Sequence, residues 1–172
     1  MKKLISALFL SLTLASCASM NDSLTPSLKV TKDPFDSTVT LSQKPVSSSG
    51  LSEDWHTLGF TWKESTPDIV YLTVGTQGID NVSGVQFMVD GKLIKTADTA
   101  SVNTKYGDWS TRRFYIPIDD FKLIATANLI KMKVIHIDTY TVSSFGEGAG
   151  MARIINSKFK PFIEALNKQL KL

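Results

Sequence analysis

Alternation of apolar and polar residues with a period of two dominates the chain beyond residue 54. In the run 56–63, one set of alternate positions holds His56, Leu58, Phe60 and Trp62, and the other holds Thr57, Gly59, Thr61 and Lys63. Successive side chains of a strand point to opposite faces, so this pattern predicts a strand with one face on a core. A chain patterned in this way has to build sheets that bury one side.

The segment 85–95 predicts a β-hairpin. It places Asp90-Gly91 between two alternating runs. A two-residue type I′ turn needs positive φ at both central residues, and Asp-Gly supplies it. With this loop Phe87 lies opposite Ile94, Met88 opposite Leu93 and Val89 opposite Lys92, so that Phe87 and Ile94 can pack as a cross-strand pair.

The pattern predicts further strands at 37–41, 69–74, 110–116 and 131–142. The strand 37–41 is expected at a sheet edge, and 69–74, which is apolar on both faces, in a sheet interior. The stretch 43–54 is rich in serine and contains Pro45 and Gly50, so it is expected to be a loop. Either Asp119 or Asp120 can cap a short helix that ends near residue 127.

The C-terminal segment predicts an amphipathic helix. Apolar residues recur there at helical spacing, namely Ile155, Phe159, Phe162, Ile163, Leu166 and Leu170. Pro161 leaves two alternatives: a helix capped by Ser157 with the proline in its first turn, which we prefer, or a longer helix from near residue 148 that kinks at the proline. Its excess of lysines is modest, so packing on the sheet is favoured over lying on an anionic membrane.

These elements together predict a mainly β (α+β) fold. We expect an antiparallel β-sandwich or curved sheet with a short crossover helix, and a C-terminal amphipathic helix that covers the sheet. The composition, 42% apolar and 20% charged, is that of a globular domain.

The first seventeen residues have the layout of an export signal. Lys2 and Lys3 precede an apolar run that ends in Leu14-Ala15-Ser16-Cys17. These last four residues resemble the lipobox of bacterial lipoproteins, whose signals are cut just before a cysteine that receives a diacylglycerol and usually an N-terminal acyl chain. The alternative is a conventional signal peptide with a cysteine near the cut by accident. The apolar run is too short to span a bilayer.

The resemblance implies a division of the chain into a signal peptide at 1–16, a flexible tether at 17–33 that starts at a lipidated Cys17, and one β-rich domain at 34–172. In such lipoproteins an Asp after the cysteine favours the inner membrane. Ala18 occupies that position here, so the resemblance implies a lipid-anchored protein of the outer membrane. Removal of residues 1–16 would lower the formal net charge from +3 to +1, which gives no reason to expect a nucleic-acid partner.

No motif in the sequence identifies a reaction. His136 and Asp138 would share one face of the predicted strand 131–142 and could supply two members of a hydrolase triad, but no Gly-x-Ser-x-Gly elbow accompanies them. His56 has no partner nearby in sequence and is expected to be structural or exposed. The glycines of 75–78 and 146–150 lack the P-loop and dinucleotide-binding patterns. With its single thiol lipidated, the chain is expected to hold no metal and no cofactor.

One cluster suggests a ligand. Tyr106 and Trp109 are followed closely by Arg112 and Arg113, and aromatic faces and guanidinium groups on a loop can stack on a sugar or a peptide. Alternatively, Trp109 closes the edge of the core and the arginines face solvent. The resulting hypothesis is a non-enzymatic envelope lipoprotein that binds an envelope protein or a polysaccharide. The alternative is a cell-envelope hydrolase that uses groups near His136 and Asp138.

Overall fold

The computed structural model describes residues 27–48, 54–94, 101, 103–146 and 158–170. The predicted signal peptide, Cys17 and most of the predicted tether lie outside these residues. The described strands and helices, in chain order, are β1 (Lys29–Lys32), β2 (Val39–Ser47), β3 (His56–Lys63), β4 (Ile69–Gln77), β5 (Gly84–Val89), β6 (Lys92–Ile94), β7 (Trp109–Pro117), α1 (Ile118–Thr126), β8 (Ile130–Ile135), β9 (Tyr140–Phe145) and α2 (Lys160–Leu170).

The strands form two antiparallel sheets. A five-stranded sheet has the order β1-β2-β3-β4-β7, and a four-stranded sheet has the order β6-β5-β8-β9. Helix α1 connects β7 of the first sheet to β8 of the second, because β7 ends at Pro117 and β8 begins at Ile130. The prediction of a mainly β fold with a short crossover helix and a C-terminal helix is confirmed.

Aromatic rings join the two sheets and both helices. The ring of Phe60 in β3 lies 5.0 Å from Phe121 of α1, 4.7 Å from Phe159 and 5.5 Å from Phe162 of α2, measured between centroids. Phe159 in turn lies 5.9 Å from Phe145 of β9. All five rings are fully buried. Edge-to-face aromatic pairs add stabilisation beyond the area they bury, so this cluster holds one end of the sandwich together.

The hairpin β5–β6 forms in the predicted register. Phe87 pairs with Ile94, Met88 with Leu93 and Val89 with Lys92. Asp90 and Gly91 have φ of 46° and 84°, the left-handed conformation that a type I′ turn requires. The interior position of β4 is also confirmed, because it pairs with β3 on one side and β7 on the other.

Strand β2 differs from its prediction in length and in place. It extends to Ser47, into the stretch expected to be a loop, and β1 pairs along its outer side, so it is not an edge strand. Pro45 is accommodated at an irregularity in the register with β3. A Cβ at Gly59 would come within 2.8 Å of the Pro45 nitrogen, so the glycine makes room for the proline. Strand β1 also places ordered chain before residue 34, within the predicted tether.

The predicted long strand 131–142 is two strands. β8 ends at Ile135, the chain turns over 136–139, and β9 pairs back along β8. The His136 amide closes this turn by donating to the Thr139 carbonyl at 2.9 Å. Period-two alternation on both sides of the turn concealed it.

Helix α1 starts differently from what its sequence suggested, whereas α2 has its proline where it was expected. Pro117 occupies the N-cap of α1 and no side chain caps it, so the expected cap by Asp119 or Asp120 is wrong; both lie in the first turn. There their charge complements the helix dipole. Helix α2 begins at Lys160, which places Pro161 in the first turn as preferred. Ser157 lies outside the described residues.

We expect Phe60→Ala to lower the free energy of unfolding by about 3–5 kcal/mol, because it removes the ring at the centre of the cluster and leaves a cavity. Urea denaturation at neutral pH measures this change. Phe35→Ala is the matched control, since Phe35 is 98% exposed and its loss should change stability little. Equal midpoints for the two variants would contradict the central role of Phe60.

Candidate functional site

Loops from both sheets meet at one end of the sandwich and bring polar side chains together there. Strands β3, β5, β7 and β9 begin there, and β4 and β8 end there. We call this the loop end; it consists of residues 54–56, 78–83, 103–108 and 135–141. The helices and the aromatic cluster lie toward the other end.

A line of polar contacts crosses the loop end from one sheet to the other. The Asp80 carboxylate lies 2.8 Å from Nδ1 of His136, and Nε2 of His136 lies 2.8 Å from the Thr141 hydroxyl. The same hydroxyl lies 2.8 Å from Nε2 of His56. Both imidazoles are buried, with His56 0% and His136 6% exposed. We call these four residues the polar network.

The free ring nitrogen of His56 determines how hydrogens are placed along the polar network. Among the described residues, Nδ1 of His56 has no hydrogen-bond partner. An unpaired buried N–H costs free energy, so the proton is better placed on Nε2, which then donates to the Thr141 oxygen. The Thr141 hydroxyl can donate in turn to Nε2 of His136. Nδ1 of His136 lies 2.8 Å from the Asp80 carboxylate, a close contact that falls outside hydrogen-bond geometry. Both contacts of the Thr141 hydroxyl then have a donor and an acceptor.

Burial lowers the pKa of His56 from its usual 6.5 to about 4. This value includes the effects of nearby charges: Asp54 opposes the shift, His136 adds to it and Asp80 opposes it. His56 is therefore neutral at physiological pH, as the hydrogen placement requires. The sequence left open whether His56 is structural or exposed. The structure shows that it is buried and hydrogen-bonded.

The predicted His136–Asp138 pair does not form on one strand face. Asp138 lies exposed in the turn after β8, and Asp80 from the loop after β4 meets the imidazole instead. The resulting order of carboxylate, imidazole and hydroxyl is that of a nucleophilic triad. Thr141, however, points between the sheets beside the buried Val134, and its oxygen is also held by His56. A substrate would have to displace His56 to reach it.

The described residues contain no group of three or more His, Cys, Asp or Glu side chains placed to hold a metal ion.

The four residues predicted to bind a ligand are divided among three places. Tyr106 is exposed in the loop before β7, and Trp109 begins β7. Arg112 points inward and donates from Nη1 to the Val82 carbonyl at 2.9 Å. Arg113 points outward and lies 5.8 Å from the Tyr71 ring. Only Trp109 and Arg113 lie on the same face, because side chains alternate along a strand.

The outer side of the five-stranded sheet brings further aromatic residues beside Trp109 and Arg113. Tyr71 of β4 is directly opposite Tyr115 of β7 in the register, and both are partly exposed. Nζ of Lys63 also lies 6.0 Å from the Tyr71 ring. We call these residues the aromatic face; they are Lys63, Tyr71, Trp109, Arg113 and Tyr115. Threonine hydroxyls lie between them at 57, 61, 73 and 111.

Sequence reasoning missed Tyr71 and Tyr115. Each stands at an outward position of a predicted strand, which is the available signal, but the pairing of β4 with β7 crosses more than forty residues. Local patterns do not reveal such a register.

The outer side of the four-stranded sheet carries a groove of about 380 Å³. It is lined by Gln86, Phe87, Met88, Leu93, Lys131, Lys133 and Val142. Nζ of Lys133 lies 4.0 Å from the Tyr140 ring, so that this cation is partly engaged by an aromatic neighbour.

We expect the stability of the protein to fall between pH 6.5 and pH 4 through His56. The pKa of His56 is lower in the folded chain than in the unfolded one, so the unfolded chain takes up the proton first as the pH falls. The loss should amount to about 2–3 kcal/mol at pH 4 and should level off just below it, once His56 is protonated in the folded chain too.

His56→Gln is the comparison variant, because the amide nitrogen can still donate to Thr141 without titrating. Urea midpoints measured from pH 7 to pH 4 should fall less steeply for the variant than for the wild type. Parallel curves would show that His56 does not cause the pH dependence.

No helix in the described part of the chain is long and apolar enough to cross a membrane. The chain matches no protein-family model, no curated protein and no solved structure.

Proposed function

We propose that the protein is a lipid-anchored module of the bacterial envelope, held in the outer membrane through Cys17, that binds an envelope polysaccharide on the aromatic face without catalysing a reaction. The lipobox-like sequence supports the anchor. Two or more acyl chains hold a protein on a bilayer stably, whereas one chain binds marginally.

The observation that carries the ligand class is the chemistry of the aromatic face. Sugars present apolar C–H faces that stack on aromatic rings and hydroxyls that bond to polar side chains. Tyr71 and Tyr115 lie side by side, with Arg113 and Lys63 close to the Tyr71 ring. The outward positions of β3, β4 and β7 include no acidic residue. The face therefore suits neutral sugars and sugars with carboxylate or phosphate groups.

A second property favours a long polymer over a small ligand. The aromatic face lies on three adjacent strands of a sheet, where neighbouring strands are about 4.8 Å apart, so it offers a broad surface rather than a closed pocket. An extended chain of sugars can contact several of its side chains together.

The hydrolase alternative is not part of this proposal. The hydroxyl that would have to attack, that of Thr141, holds hydrogen bonds to two buried imidazoles and faces the interior. We assign the polar network a structural role, which is to join the two sheets at the loop end.

We expect Cys17→Ser to abolish anchoring of the protein, because the serine variant offers no thiol for a diacylglycerol. Labelling with radioactive palmitate and partition into a detergent phase should both be lost. Ser16→Thr, which leaves the cysteine in place, is a control for disturbance of the export signal. Retained labelling of the Cys17→Ser variant would exclude the proposed attachment site.

We expect Trp109→Ala combined with Arg113→Ala to weaken polysaccharide binding about tenfold or more, since each loses a contact worth about 1 kcal/mol. Pull-down on a panel of purified envelope polysaccharides, peptidoglycan included, measures this effect. Leu123→Ala is the control, because this partly exposed side chain lies on α1 rather than on the aromatic face. If the double variant binds every polymer as the wild type does, the aromatic face is not the site.

A further inference from the structure

The loop end presents five large apolar side chains to solvent. They are Trp55 (51% exposed), Ile79 (85%), Tyr106 (56%), Ile137 (73%) and Tyr140 (58%). They come from four separate segments of the chain, and half of the exposed large apolar side chains in the described residues are here. Single exposed apolar residues are ordinary, but a group gathered at one end of a domain marks an interaction surface.

The polar network holds these side chains in place. Each of its four members is the immediate neighbour in sequence of one exposed apolar residue: His56 of Trp55, Asp80 of Ile79, His136 of Ile137 and Thr141 of Tyr140. The loop of Tyr106 is fixed separately, since the Gly78 amide donates to the Asp108 carbonyl at 2.9 Å. Thr104 also donates to the Asn81 side chain at 2.8 Å. The loop end is therefore a preformed surface.

The chain before β1 leads toward this end. β1 is antiparallel to β2, and β2 to β3, so β1 runs in the same direction as β3, which starts at the loop end. Lys29 pairs with Ser42 of β2, which in turn pairs with Thr61 of β3. Measured along the strands at about 3.3 Å per residue, Lys29 therefore lies about 17 Å from the start of β3. Cys17 precedes Lys29 by twelve residues, a length that can span up to about 40 Å.

The side chains of the loop end are those of a protein in contact with a bilayer surface. Tryptophan and tyrosine favour the level of the lipid head groups, and isoleucine favours the hydrocarbon below it. The exposed charges are Asp54, Asp108 and Asp138 against Lys105. This balance disfavours attraction to anionic lipid and leaves burial of the apolar groups as the driving force.

We propose that the loop end docks on the phospholipid surface of the membrane to which the protein is anchored, with Ile79 and Ile137 inserted and Trp55, Tyr106 and Tyr140 at the level of the head groups. This inference rests on the proposed lipid anchor. Docking then orients the domain, and the aromatic face stands to the side of the membrane contact, open to polymer.

Fluorescence of the lipidated full-length protein, reconstituted in zwitterionic phosphatidylcholine vesicles, tests the docking. Brominated acyl chains quench a tryptophan that lies in the bilayer surface, and aqueous acrylamide quenches one that lies in water. We expect bromolipid to remove the same amount of emission from the wild type and from Trp109→Phe, and much less from Trp55→Phe. Trp62 is buried and contributes a constant background.

Ile79→Ser combined with Ile137→Ser should separate the domain from the bilayer while the lipid anchor remains. In this variant we expect bromolipid quenching of Trp55 to be lost and acrylamide quenching to rise. Phe35→Ser is the matched control, because Phe35 is exposed in the turn between β1 and β2, away from the loop end. It should leave both measurements unchanged.

The outcomes distinguish docking from anchoring. A protein that floats with the vesicles while Trp55 remains open to acrylamide is anchored but not docked, which overturns this inference alone. Protection from acrylamide without bromolipid quenching means that a protein partner or a second copy covers the loop end, and it also overturns the inference. A protein that fails to float contradicts the anchor and the docking together.

Discussion

The packing of other aromatic rings around Phe60 is the contact on which the rest of the fold depends. Helices α1 and α2 have nine and eleven residues, lengths at which isolated helices are marginal in water. Both contribute a ring to Phe60, and the ring of Phe159 extends the contact to β9 of the other sheet. The helices are stable because they pack here, and the cluster is continuous with the apolar core to which both sheets contribute. No disulfide contributes, since the chain has a single cysteine.

At the loop end, polar contacts rather than aromatic rings join the two sheets. Here the sheets are joined through a threonine hydroxyl shared by two imidazoles, a contact that gains less free energy than apolar packing because polar groups must give up water to form it. The contribution of this contact is to fix the orientation of the loops. Hydrogen bonds fix the positions of His56, Asp80, His136 and Thr141, and therefore those of their exposed neighbours. Apolar packing contributes at this end too, since Val82 is fully buried there, but apolar packing alone would not set the loops in one geometry.

Local chemistry made part of this structure predictable. The Asp90-Gly91 turn defined its hairpin because its φ angles require those residues, and Pro161 marked the first turn of α2 because it cannot lie further inside a helix. β1 was missed because its four residues, Lys-Val-Thr-Lys, are too few and too polar to stand out from the predicted tether. The turn at 136–139 was missed because alternation continues through it. For the same reason His136 was paired with Asp138, two residues away, although its partner Asp80 comes from a loop more than fifty residues earlier. Contacts between distant segments, the aromatic face included, are set by the register of the sheets, which local patterns do not encode.

The same alternation explains why one domain can present two different surfaces. In β7, inward positions build the core with Phe114 and Ile116, while Trp109, Arg113 and Tyr115 face outward. The strand ends belong to neither face and carry the loops instead. A ligand that lies across the strands and a membrane that meets their ends therefore contact separate residues. β1 starts on the side of the sheet that faces the loop end, so the proposed anchor at Cys17 would restrain that end and leave the side of the sheet accessible. The proposed polymer binding and membrane contact are therefore compatible with each other.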